Sequence, residues 1–195
     1  MEIKPVTLAG RRVRLEPLSL AHLDALADGC AEPETWKYFP MQPLATREQM
    51  RAWIEERVVS TAKGTWFAFA TIDLATGRAV GSTSYIDISP ADWRLEIGST
   101  WLHATARRTG INTESKFLLL RHAFETLNTN RVQLKTDARN VQSQAAIERI
   151  GAKKEGVLRA QFVMADGWLR DSVMYSIIKP EWPEVKARLE RLMAR

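Results

Sequence analysis

The chain lacks most of the residues and patterns that announce common functions. It has a single cysteine, Cys30, in 195 residues, so no internal disulfide can form. No Cys/His cluster offers zinc spacing, and no metal is expected. No apolar run approaches the roughly 18–20 residues that span a bilayer. Met1-Glu2-Ile3-Lys4-Pro5 lacks the apolar stretch of a signal peptide. A reduced, cytoplasmic setting with no membrane partner is the expectation. Repeats, low-complexity segments, Gly/Ser linkers and blocks of five or six like charges are missing. So are the Gly-x-Gly-x-x-Gly of dinucleotide folds and the Gly-Lys-Ser/Thr of a P-loop.

What is present is the composition of a folded globular chain, 45% hydrophobic and 26% charged. Its length suits one domain over residues 1–195, closed by a tail helix at about 180–193. The net charge of +5 favours an anionic partner. Nucleic acid is a poor candidate, because the basic residues are scattered and no basic stripe carries interleaved aromatics.

Periodicity orders the elements. Arg12–Glu16 alternates as a strand, and a short helix follows around Leu20–Ala27. Thr46–Ser60 reads as a helix with Met50, Trp53, Ile54 and Val58 on its apolar face. Thr65–Ile72, Ala79–Ile86 and Trp93–Leu102 read as strands. The strongest helix runs from about Thr113 to Leu127, with Phe117, Leu120, Phe124 and Leu127 at helical spacing. Arg131–Thr136 is a strand and Val141–Ile150 a helix stopped by Gly151. Lys153–Val163 and Trp168–Ile178 flank Asp166-Gly167, a hairpin signal. Pro180 opens a final amphipathic helix, whose Trp182–Leu192 stripe is a candidate homodimer surface. Consecutive strands before the central helix predict an α/β chain with a mixed, α+β type sheet flanked by helices.

Arg107-Arg108-Thr109-Gly110-Ile111-Asn112-Thr113 joins a strand to the strongest helix. Helix-opening N–H groups and the positive end of the dipole suit a phosphate there. Gly110 permits a tight turn, and the two arginines add charge. The plainer alternative is an ordinary helix start, capped by Asn112 or Thr113, with two solvated arginines.

Arg-x-x-Gly-x-Asn at 107–112, before Phe117-Leu118-Leu119-Leu120-Arg121-His122-Ala123-Phe124, resembles the acetyl-coenzyme A loop of the GCN5-related N-acetyltransferases (GNAT). That family's pattern is Gln/Arg-x-x-Gly-x-Gly/Ala. Glu96-Ile97-Gly98, Asn130-Arg131-Val132, Asn140-Val141-Gln142-Ser143, Ile150-Gly151-Ala152, Glu155–Arg159, Asp166-Gly167 and Tyr175-Ser176 extend the likeness over about residues 12–178. They resemble the branch of ribosomal-protein-alanine N-acetyltransferases (RimJ/RimL-like). Asn112 departs from the pattern at its last Gly/Ala position.

The resemblance implies a GNAT-like acyl-coenzyme A N-acyltransferase fold, with acetyl-coenzyme A as cosubstrate. A primary amine is the implied acceptor, on a protein N-terminus or a small molecule. It implies pantetheine along Ser99, Thr100 and Trp101, where the strand diverges from Arg131–Thr136. It also implies pyrophosphate over Arg107, Arg108, Thr109, Gly110, Ile111, Asn112 and Thr113. Asn140 would hydrogen-bond pantetheine, cap the next helix, or do both. The chemistry needs a base and a donor to the departing thiolate; Glu96 and Ser143 are the candidates. An exposed ion-paired strand residue and a helix-start residue are their ordinary alternatives. Direct transfer in a ternary complex is expected, with Cys30 packed rather than acyl-carrying. Tyr175 reads as core, His122 as solvated, His103 as a strand end near the loop, and the seven tryptophans as mostly core. A coenzyme A-binding module without turnover is the alternative function. The acceptor's identity stays open: an anionic pocket would favour polyamines, a neutral one peptide N-termini.

Overall fold

A computed structural model describes residues 1–194. Eight strands form one sheet: β1 (Leu8–Ala9), β2 (Val13–Pro17), β3 (Phe67–Asp73), β4 (Arg78–Ser89), β5 (Arg94–Leu102), β6 (Arg131–Asp137), β7 (Lys153–Val163) and β8 (Leu169–Ile178). Their spatial order is β1-β2-β3-β4-β5-β6-β8-β7. Only β5 and β6 pair in parallel, as Arg94↔Arg131, Leu95↔Val132 and Glu96↔Gln133. The sheet is therefore mixed and antiparallel through its first half, as the sequence predicts. The helices are α1 (Leu23–Ala27), α2 (Pro33–Trp36), α3 (Arg47–Ala62), α4 (Ile111–Arg121), α5 (Val141–Arg149) and α6 (Trp182–Met193). A π turn over His122–Thr126 continues α4.

Strand alternation sends buried side chains to both faces of the sheet. Phe67 and Phe69 of β3 join the core that α4, α5 and α6 cover, together with Leu95, Ile97, Val132, Leu134 and Leu119. Ala68, Ala70 and Ile72 join a second core under α1, α2 and α3, with Trp36, Met50, Trp53 and Trp101. Small alanines on this second face leave room for the tryptophans.

The tryptophans are mostly core, as expected: Trp36, Trp53, Trp101 and Trp182 are buried, while Trp93 and Trp168 are exposed. Three expectations are corrected. Val58 lies 40% exposed, outside the buried stripe of α3 formed by Met50, Trp53 and Ile54. His122 is half-buried and stacked on the Tyr85 ring, because it lies one turn beyond the buried Leu118 and Leu119 on the same side of the helix. The apolar stripe of α6 covers the molecule's own core: Trp182 packs against Phe117 of α4 and Phe124 of the π turn, so that stripe is not left for a second copy. Two elements carried no sequence signal, the two-residue β1 and the four-residue α2.

Candidate active site

After Glu96↔Gln133 the parallel strands part, and the rest of β5 has no partner on the β6 side. At the same place β5 carries a bulge. Ser84 pairs with Gly98 and Ser82 with Trp101, so Ser99 and Thr100 together oppose Thr83. Ser99 takes φ 48°, the left-handed value of a bulge residue. The Thr100 hydroxyl lies 2.8 Å from that of Thr83 and accepts from Lys116 Nζ at 2.7 Å. The bulge is thus held from the α4 side.

Beyond β5 the chain turns into α4. Arg108 (φ 62°) and Gly110 (φ 90°) are both left-handed. Gly110 is the N-cap, so the expected cap at Asn112 or Thr113 is corrected; Asn112 is the second residue of α4. Asn112, at the last Gly/Ala position of the pattern, is helical and lies beyond the turn. The backbone N–H groups of residues 108–113 find no acceptor among the described residues. Six successive free donors at the positive end of a helix form an anion nest.

The side chains around the nest are tied back. Glu114, 6% exposed, accepts from the N–H groups of Arg11 (2.8 Å), Arg12 (2.7 Å) and Val13 (2.9 Å). It staples α4 to the start of β2. Gly10 is needed beside it, since a Cβ there would lie 2.6 Å from the carboxylate carbon. Arg12 Nη1 donates to the Thr109 carbonyl at 3.1 Å, which brings a guanidinium to the loop that sequence reasoning missed. The Arg11-Arg12 pair was its only signal. Arg107, expected to face phosphate, instead donates to the Leu102 carbonyl (3.1 Å) and the Thr35 hydroxyl (2.7 Å). It fastens the loop to α2, whereas Arg108 is exposed. The Thr113 hydroxyl accepts from Arg149 of α5 at 2.8 Å, and Ile111 is buried, so both offer the site only backbone groups. Asn112 Oδ1 is buried with no donor.

Asn140 caps α5, accepting from Ser143 N at 2.9 Å. Ser143 Oγ has no partner among the described residues, so its hydroxyl is available.

Glu96 sits in the last pair before the strands part and is 1% exposed, not the exposed residue of the ordinary reading. Its Oε2 accepts from Gln133 Nε2 and Lys135 Nζ, each at 2.9 Å. Oε1 points along the strand toward Gly98, where a Cβ would stand 2.7 Å away. A glycine two residues on, on the same face, makes the room this carboxylate occupies. Arg94 pairs with Asp87 rather than with Glu96.

The remaining candidates are structural. Tyr175 is buried, donates to Glu148 at 3.1 Å, and is pushed up to about 12 by burial first and by Glu148 second. Cys30 is buried, and desolvation raises its thiol pKa. Burial lowers His103 and His122; His103 lies against Trp101 and Leu26. Among the described residues no helix is long and apolar enough to cross a membrane, and no three His, Cys, Asp or Glu side chains converge as metal ligands.

Comparison with known proteins gives a family and a fold. The profile of the acetyltransferase (GNAT) domain matches residues 12–153. The chain is 28% identical over 176 residues to p20, an uncharacterized N-acetyltransferase of Bacillus licheniformis, covering 90% of this chain and 98% of that one. A GCN5-related N-acetyltransferase from Brucella melitensis superposes with a TM-score of 0.92 at 29% identity, over 98% of this chain and 86% of that chain. Mycobacterium smegmatis RimJ, solved in complex with CoA-disulfide, shares the fold at a TM-score of 0.85 and 20% identity, over 96% and 95% of the two chains.

Proposed function

The chain belongs to the GNAT acetyltransferase family, and from that premise we propose that it moves the acetyl group of acetyl-coenzyme A directly to a primary amine, on a protein N-terminus or a small molecule. The observation that carries this reading is the parting of β5 and β6 immediately after a buried carboxylate.

The residues present fit acetyl-coenzyme A. The six free N–H groups of 108–113 would take the pyrophosphate, with Arg12 and Arg108 adding charge. The unpaired edge of β5 over Ser99, Thr100 and Trp101 would take pantetheine as an added strand, and the Asn140 amide remains free to donate to it. The cosubstrate supplies an activated acetyl thioester. Glu96 takes a proton from the acceptor ammonium through Oε1, the oxygen not engaged by Gln133 and Lys135. The freed amine forms the C–N bond as the C–S bond breaks. Backbone N–H groups at the bulge would stabilise the negative charge that develops on the carbonyl oxygen. The second N–H proton ends on the departing thiolate, to which Ser143 Oγ offers a hydrogen bond. Cys30 has no part in this route.

The test is the pH dependence of kcat/KM for Glu96→Gln and Ser143→Ala with one amine. Glu96→Gln should lower the rate about 10²–10⁴-fold near neutral pH and recover as the amine deprotonates unaided. Ser143→Ala should lose less and not recover, because a thiol of pKa near 8.5 already leaves fairly well. Coincident profiles for wild type and Glu96→Gln would remove Glu96 as the base. Coenzyme A binding with no thiol release from acetyl-coenzyme A, whatever the amine, would favour a binding module.

A further inference from the structure

The sheet face that holds Glu96 is covered by α1, α2 and α3 only over its first half. Over β5, β6 and β8 it carries buried polar side chains instead: Glu96, Gln133, Asp137, Ser172, Ser176 and Arg170. The registers Glu96↔Gln133, Gln133↔Ser176 and Asp137↔Ser172 put these side chains on one face, and alternation adds Arg170. Most charges there are matched. Lys135 holds Glu96 at 2.9 Å, Arg139 holds Asp137 at 2.7 Å, and Arg94 holds Asp87 at 2.9 Å.

Arg170 is the exception. It is 6% exposed, yet no carboxylate lies within 4 Å of it among the described residues. Its Nε donates to Ser172 Oγ (3.1 Å) and its Nη1 to the Tyr38 carbonyl (2.9 Å), both uncharged acceptors. Nη2 makes no hydrogen bond among the described residues. Phe162 lies 5.3 Å from the guanidinium carbon and 5.4 Å from Lys135 Nζ, so one ring links Arg170 to the Lys135–Glu96 pair. A buried guanidinium without an anion is costly, and its planar fork is shaped for a carboxylate. Burial lowers its pKa, with Asp137 and then Glu96 the acids that oppose the shift.

We propose that Arg170 makes this enzyme selective for acceptor amines that carry a carboxylate. The unmatched cation on the Glu96 face pairs with the acceptor's anionic group while Glu96 faces its amine. Polyamines meet an added cation there and are disfavoured. This reading rests on the acetyl-transfer function above and names its substrate class.

The experiment compares kcat/KM for an α-amino acid with that for the amine lacking only its carboxylate. Dipeptide amides with glutamate or glutamine in the second position form a parallel arm. The first pair tests the acceptor's own α-carboxylate, the second a side-chain carboxylate. Wild type should prefer the carboxylate member of one pair by about 10–100-fold, the scale of a charge-assisted hydrogen bond. Arg170→Gln should bring that ratio near one through KM of the carboxylate substrate, and Arg170→Lys should restore part of it. A purely structural arginine would lower both members equally. That result, or a wild-type ratio near one in both pairs, overturns the proposal. Calorimetric titration of the N-acetylated forms of both pairs into the coenzyme A-loaded protein reads the same preference without turnover. Absence of thiol release thus fails the acetyl-transfer reading alone, and equal binding of the carboxylate and carboxylate-free forms fails this one.

Discussion

Lys116 holds an ammonium group 7% exposed beneath the bulge of β5, with Thr83 and Thr100 as its only hydrogen-bond partners among the described residues. Burial pulls its pKa from the ordinary 10.5 to about 7, and Glu96 on β5 opposes the shift. The sign follows from proton counting. Between about pH 7 and 10.5 the unfolded chain binds a proton at Lys116 that the folded chain does not, so stability rises with pH across that window. Below about 7 both states are charged, and the folded one bears the whole burial penalty. Lys116→Met keeps the shape and leaves the Thr83 and Thr100 hydroxyls bonded to each other at 2.8 Å. It should stabilise the protein by on the order of a few kcal/mol at pH 6. The gain should narrow as pH approaches 10. Urea midpoints at several pH values check this, and a gain independent of pH would show that Lys116 is not a buried titrating group. Glu96 and Arg170 show how residue roles hide in sequence. A glutamate on an alternating strand reads equally as exposed or buried until Gly98 is seen to make its space, and an arginine in a strand reads as solvated until its face is known.

At the scale of elements, the staple from Glu114 to the start of β2 fixes where α4 begins and hence where the nest lies. Glu114→Ala would leave three N–H groups of residues 11–13 without their carboxylate. It should cost roughly 3 kcal/mol of stability and weaken coenzyme A binding together with it. Chemical denaturation and calorimetry test the pair; loss of affinity at unchanged stability would mean that Glu114 acts on the ligand rather than on the loop. The regular elements were legible because their periods are strong: the hairpin around Asp166-Gly167 and the apolar spacing of Phe117, Leu120 and Phe124 fall where the sequence sets them. The loop was legible in position but not in geometry. A left-handed Arg108 has no sequence signature, and the local pattern marks only Gly110 as a turn residue. The use made of Arg107 depends on Thr35, 72 residues away in sequence, and no local pattern carries that contact.

At the scale of the molecule, one sheet serves two unlike faces. One is apolar and closed by α4, α5 and α6; the other is apolar only under α1, α2 and α3 and polar over β5, β6 and β8. In the proposed reading the cosubstrate enters the seam that opens between β5 and β6. Within the fold Lys153 pairs with Glu181 and Lys186 with Glu125, while Arg12 donates to a backbone carbonyl of the loop. The central claim is that coenzyme A lies along this seam with its pyrophosphate in the nest. Amide chemical shifts recorded while coenzyme A is added to the 15N-labelled protein test it most directly. The largest shifts should fall on the N–H groups of residues 108–113, which have no acceptor among the described residues, and on the unpaired edge of β5 over residues 99–101. Saturable binding that leaves those amides unmoved and shifts another region would contradict it.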